Sequence, residues 1–186
     1  MKLQGSCSWR AMPRAMLCWL AWAIALCTFA NAGEAAHATE AARQRSVVAE
    51  NAPLPELVLP DLSGASRPLR LTPGEVTVLN FWATWCVPCL KELPELVKLS
   101  HEWQERGVQV VGIAIDSGNP TNIRTFAASH GMDYRLLVGT QRWAAEHFGV
   151  FGLPVTLVVD RAGRIRRRLI GPQTGVTFTA AVRPYL

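Results

Sequence analysis

The sequence predicts an α/β domain built on a central mixed β-sheet flanked by helices. Three observations carry that prediction. Residues 76–82 (VTVLNFW) form an unbroken apolar run with β-branched members, the pattern of a strand buried on both faces. Segments of helical periodicity separate it from two further apolar runs, 108–115 (VQVVGIAI) and 155–160 (VTLVVD), and parallel strands need such crossovers. The turn Arg161-Ala162-Gly163 then folds residues 164–170 back as an antiparallel edge.

In chain order, residues 1–32 read as an export segment. Arg10 and Arg14 precede an uncharged stretch, 15–32, that ends in Ala30-Asn31-Ala32, the small-x-small pattern of a cleavage site before Gly33. At 18 residues the stretch also reaches the lower limit of a membrane-spanning helix. It is read as a signal peptide or as a retained membrane anchor with its positive end in the cytoplasm. Cys27 raises a lipid-anchored alternative, which the bulky Leu26 before it opposes. Residues 33–52, rich in Ala and charge, read as a flexible tether, and 53–186 as the folded domain.

Within the domain, residues 57–59 and 69–71 flank a turn-rich piece containing Ser63-Gly64, a short loose hairpin. After 76–82, Leu93, Leu96, Val97, Ser100 and Trp103 follow helical spacing up to a stop at Gly107, with a kink expected at Pro94. Asn119-Pro120 is a cap followed by a first-turn proline, and Ile123, Phe126 and Ala127 give that helix an apolar face ending at Gly131. Residues 134–138 read as a short strand and 140–148 as a short helix with Trp143 and Phe148 inward. Residues 176–182 read as the last helix.

Charge and cysteines bound the chemistry. The net charge of +5 drops once the leader is set aside, leaving 16 Lys and Arg against 14 Asp and Glu from Gly33 onward, too little to imply a nucleic-acid partner. Cys7, Cys18 and Cys27 all lie in the leader, so the exported domain keeps Cys86 and Cys89. A bridge closing so short a loop removes almost no unfolded-state entropy, so the pair serves chemistry rather than stability. A structural zinc site would need two more ligands, and c-type haem attachment would need His where Leu90 stands. No metal and no cofactor are expected.

Cys-x-x-Cys directly after a buried strand and at a helix start is a redox motif with a mechanism. The helix N-terminus favours a thiolate. Cys86, at the exposed end, reads as the nucleophile, and Cys89, one turn in and buried, as the resolving thiol. Trp85 and Pro88 tune access and potential. His101, His130 and His147 read as ordinary surface or half-buried residues, and Arg164, Arg166, Arg167 and Arg168 as charge that discourages pairing at a sheet edge, with contact to anionic lipid or an acidic partner as the alternative.

The segment Phe81-Trp82-Ala83-Thr84-Trp85-Cys86-Val87-Pro88-Cys89, with Leu90-Lys91-Glu92-Leu93-Pro94 behind it, resembles the TlpA/ResA/DsbE group of exported thiol–disulfide oxidoreductases. The resemblance spans residues 53–172. It implies a thioredoxin-like fold with an N-terminal hairpin and a central helix–strand–helix insertion between 116 and 152. It matches Gly152-Leu153-Pro154-Val155-Thr156 to the group's cis-proline segment, which faces the cysteines and leaves the Leu153 backbone free for a substrate strand. Thioredoxin itself carries a buried Asp where this chain has Asn80. The group instead places an acid just after the motif, and Glu92 matches it, as a partner for proton exchange with Cys89 or as a solvated helix residue.

The resemblance implies a protein disulfide oxidoreductase of the bacterial periplasm, soluble after cleavage or tethered to the inner membrane. It implies a reductant, commonly of apocytochrome c or another exported thiol protein, re-reduced by a membrane thiol donor. Contact with the membrane is expected only through the N-terminal segment if uncleaved. Two alternatives stand beside it. One is a thioredoxin-fold binding module or chaperone without redox turnover. The other is a peroxiredoxin-like peroxidase, for which Thr84 fits but Leu79 replaces the required proline.

Overall fold

A computed structural model of the chain describes residues 50–116 and 120–186. The export segment, nearly all of the tether, and Asn119, the expected cap, lie outside the described residues.

Among the described residues, seven strands and four α-helices follow in order: β1 (Val58–Pro60), β2 (Ser66–Pro68), β3 (Val76–Trp82), α1 (Val87–Trp103), β4 (Val108–Ala114), α2 (Pro120–Ser129), β5 (Arg135–Val138), α3 (Gln141–Phe148), β6 (Val155–Val159), β7 (Ile165–Ile170) and α4 (Gly175–Val182). A five-stranded sheet has the order β5-β4-β3-β6-β7, and β1 and β2 pair as a separate hairpin. The β3–β4 and β4–β5 pairs are parallel, and β3–β6 and β6–β7 are antiparallel, which gives the mixed α/β sheet expected.

The hairpin forms, but its second strand starts three residues earlier than the apolar pattern placed it. The Asp61 carboxylate accepts the backbone N–H groups of Ser63 and Ala65 at 2.8 and 3.3 Å. That tightens the turn and draws Ser66 into pairing with Pro60. Elsewhere the punctuation reads true. Gly107 and Gly149 end α1's trailing 3-10 turn and α3 in the left-handed conformation, at φ 73° and 60°.

Every residue of β3 is buried, because it lies centrally with apolar layers on both faces. Val76, Val78 and Trp82 join the cluster under α1 and α4, which includes Leu93, Leu96 and Phe178. Leu79 and Phe81 join the opposite cluster with Leu57, Phe148 and Leu157. Each such side chain contributes roughly 1.5–3 kcal/mol. The period of two puts Asn80 on the α1 face, in register with Gly112 on one side and Thr156 on the other.

β7 is the sheet edge, and its arginines are committed inside the molecule. Asp160 closes the β6–β7 turn by accepting the Ala162 and Arg164 N–H groups at 2.9 Å, and Arg166 Nε meets the same carboxylate at 2.6 Å. Arg164 donates to the Asn51 carbonyl, stitching the start of the domain to β7. Arg168 donates to the Phe148 and Gly149 carbonyls at 2.8 Å, satisfying the C-terminus of α3. No helix among the described residues is long and apolar enough to cross a membrane.

Candidate active site

β3 ends at Trp82, and a short loop turns the chain into α1. Cys86 is the N-cap of α1, and its Sγ accepts the Cys89 N–H at 3.2 Å. Pro88 sits in the first turn, where a missing N–H costs nothing because those donors lack helical partners. Cys86 and Cys89 are joined by a disulfide with their Cα atoms 5.3 Å apart. Cys89 is fully buried, as expected. Cys86 is only 4% exposed, which corrects the expectation of an exposed end. Bridged to the buried Cys89, its side chain lies in the cluster that holds Trp82 and Leu93.

The loop is held by a residue that the sequence reading passed over. Asp116, 5% exposed, accepts Thr84 N–H at 2.9 Å on one oxygen and the Thr84 hydroxyl at 3.0 Å on the other. Parallel register explains the meeting. Trp82 pairs with Ala114, so residues 84 and 116 leave neighbouring strands two steps beyond a matched pair. An acid two residues past the end of a strand that neighbours a motif-bearing strand was the available clue.

The antiparallel neighbour supplies the other wall. Phe81 pairs with Val155, so the loop after β3 and the loop before β6 meet at one end of the sheet. The Leu153–Pro154 bond is cis, Pro154 is buried and Leu153 half-buried. The Gly171 N–H donates to the Pro154 carbonyl at 2.9 Å. Around this end, Trp85, Val87 and Phe151 stand 65%, 63% and 72% exposed, an apolar rim beside the disulfide.

Beneath it lies a polar group of four residues, of which Asn80, Glu92 and Thr156 are buried. Glu92, one turn after Cys89 on α1, has no exposure, so the solvated alternative is replaced by a fully buried carboxyl. Its Oε1 accepts Asn80 Nδ2 at 2.8 Å, and its Oε2 accepts the Gln173 backbone N–H at 2.9 Å. Asn80 Nδ2 also donates to Thr156 Oγ1 at 2.9 Å. Burial pushes the Glu92 carboxyl up to about 7, against the two neutral donors that favour its charge. Periodicity could not place Glu92 inside, because a lone acid on a helix is ordinarily solvated.

Comparison with known proteins agrees with this geometry. The model of the AhpC/TSA family matches residues 50–168. The thiol-disulfide oxidoreductase ResA of Geobacillus thermodenitrificans is 32% identical over 132 residues, covering 70% of this chain and 75% of that one. ResA of Bacillus thuringiensis (strain Al Hakam) is 30% identical over 120 residues, or 64% and 69% of the two chains. Among solved structures, a thiol:disulfide interchange protein of the thioredoxin family from Chlorobium tepidum TLS superposes with TM-score 0.63 at 26% identity, over 74% of this chain and 97% of that one. A DsbF homologue from Corynebacterium diphtheriae gives 0.65 at 26% identity, over 73% and 87%.

The chain belongs to the TlpA/ResA/DsbE family of thioredoxin-like thiol–disulfide oxidoreductases.

For a member of this family the exposed residues His101, His130 and His147 are peripheral. His101 pairs with Asp133 at 2.9 Å on the surface. His130 stacks on Phe126 and His147 on Trp143. No three His, Cys, Asp or Glu side chains gather as a metal site among the described residues. A TlpA/ResA/DsbE protein acts on thiols and disulfides of other proteins, and the one sulfur pair described here is Cys86–Cys89.

Proposed function

We propose that the protein is exported to the bacterial periplasm and reduces disulfides of partner proteins there. The Cys86 thiolate attacks one sulfur of the partner disulfide. A Cys86–partner bond forms, the partner's S–S bond breaks, and its other sulfur leaves and takes a proton. Cys89 then gives its proton to Glu92 and attacks Cys86 Sγ. The Cys86–Cys89 bond forms, and the partner's second sulfur leaves. The partner gains two electrons and two protons, and a membrane thiol donor restores the dithiol.

The observation that carries this reading is the cysteine pair at the start of α1, Cys86 as its N-cap and Cys89 in its first turn, with a fully buried carboxyl one turn behind. The helix N-terminus favours the Cys86 thiolate, and a carboxyl that titrates near neutrality suits proton exchange. Trp85, Pro88, Leu153 and Pro154 form the docking surface, with the Leu153 backbone pairing to an extended partner segment. Exported thiol proteins, apocytochrome c among them, are the partner class that the resemblance of the Cys86–Cys89 segment to this group implies. A leader with small residues before Gly33 supports export, with the domain then free or tethered.

A peroxidase is disfavoured by Leu79 and by Thr84, whose hydroxyl is committed to Asp116. The test is Cys89→Ser in the periplasm. An exchanger accumulates mixed disulfides through Cys86, whereas a binding module accumulates none. A reduction potential near thioredoxin's, about −270 mV, supports a reductant, and one near about −120 mV reverses the direction.

A further inference from the structure

We propose that Asn80 is a positioning residue that lets Glu92 take up and release a proton at Oε1 by turning its side-chain amide over. The inference rests on the reading of Glu92 as the proton partner of the cysteine pair.

The two Glu92 oxygens are held by different kinds of donor. Oε2 faces the Gln173 backbone N–H at 2.9 Å. A backbone N–H is a donor in every state, so a proton on Oε2 would oppose another proton. Oε1 faces the Asn80 amide at 2.8 Å. An amide has a donor end and an acceptor end of nearly the same size, and a half-turn exchanges them. The proton therefore belongs on Oε1.

The same two side chains, Glu92 and Thr156, can partner Asn80 in either orientation, and the half-turn moves the NH2 group to the side where Oδ1 has no hydrogen-bond partner. With Glu92 ionised, Asn80 Nδ2 spends its two protons on Glu92 Oε1 and Thr156 Oγ1. Asn80 Oδ1 is then buried without a hydrogen-bond partner. With Glu92 protonated, a half-turn brings Oδ1 round to accept from two hydroxyls, the carboxylic O–H of Glu92 and the O–H of Thr156. Thr156 accepts in the first state and donates in the second, which a hydroxyl can do. An aspartate at position 80 could not serve, because it would set a second carboxylate against Glu92.

Groups on every neighbouring element agree. β3 and β6 present the neutral Asn80 and Thr156, and the loop before α4 presents the Gln173 N–H. From the approach to β5, Tyr134 is raised first by burial and further by the charge of Glu92, so it stays a neutral phenol. On α1 itself lie the disulfide-bonded Cys89, the exposed Lys91 and the half-buried Glu95.

The test is NMR of the labelled full-length chain in its disulfide form. No partner and no turnover enter, so failure here leaves the exchange reading standing. Above the Glu92 titration, the Asn80 NH2 protons show cross-relaxation to the Glu92 and Thr156 side chains. Below it those contacts are lost, with the same midpoint as the Glu92 carboxyl carbon. Glu92→Gln, whose amide must donate toward position 80, shows the low-pH pattern at every pH. Contacts that persist in the wild type through the Glu92 midpoint, or a high-pH pattern in Glu92→Gln, overturn the proposal.

Discussion

Asn80 and Glu92 are hydrogen-bonded at 2.8 Å across the interface between β3 and α1, with neither side chain exposed. Each departs from what its element favours. Asn80 interrupts an apolar strand, and Glu92 is an acid on the inner face of a helix. Together they explain one another, since a buried polar group is tolerable when it is bonded.

This pair makes stability depend on pH in a defined direction. The Glu92 carboxyl sits near 7 in the folded protein against 4.5 for the ordinary group, so the native state binds more protons between those values. Its contribution to stability is fully present below about pH 4.5, falls as pH rises through about 7, and is flat above. The span is about 3 kcal/mol. Glu92→Gln should lack this step, so its stability relative to wild type should rise between pH 5 and pH 8 in urea denaturation. Parallel curves for the two proteins would show that Glu92 does not titrate in this range.

Asp116→Ala should release the loop that carries Trp85 and Cys86. Two bonds to a buried carboxylate are lost, and the Thr84 N–H loses its acceptor. The expected cost is about 2–3 kcal/mol, with Asp116→Asn, which keeps one acceptor oxygen, losing less. Amide exchange reads the local effect directly. Protection at Thr84 should fall further than protection across β3, and an equal fall throughout would mean global loosening instead.

Phe151→Ser addresses the apolar rim. The side chain is 72% exposed, so folding stability should stay within about 0.5 kcal/mol. Turnover of a small disulfide such as oxidised glutathione should be unchanged. The KM for a protein disulfide such as insulin should rise several-fold, because the lost contact is made only to a larger partner. An unchanged KM for both substrates would remove Phe151 from the docking surface.

Much of the fold was legible because short-range rules governed it. β3 and the α1 stop at Gly107 follow from apolar runs and glycine placement alone, and the Cys86–Cys89 spacing already allowed a bridge. The β2 boundary slipped because a side-chain-capped turn at Asp61 outweighed the apolar pattern of 69–71. Asp116 was missed because its role depends on strand register, which one sequence does not print. The arginines at the start of and along β7 were read as edge charge, yet their partners, Asn51, Phe148, Gly149 and Asp160, come from three separate stretches of chain.

The sequence by itself determined that a mixed α/β domain presents two cysteines at a helix start, because periodicity, turn residues and i to i+3 spacing are local properties of the chain. Tertiary structure alone decided that Glu92 is inside rather than in water, that Asn80 and Thr156 reach it, and that Asp116 holds Thr84. Burial and long-range hydrogen bonding depend on which elements pack together. The proton affinity of a carboxyl depends on that packing rather than on its place in the sequence.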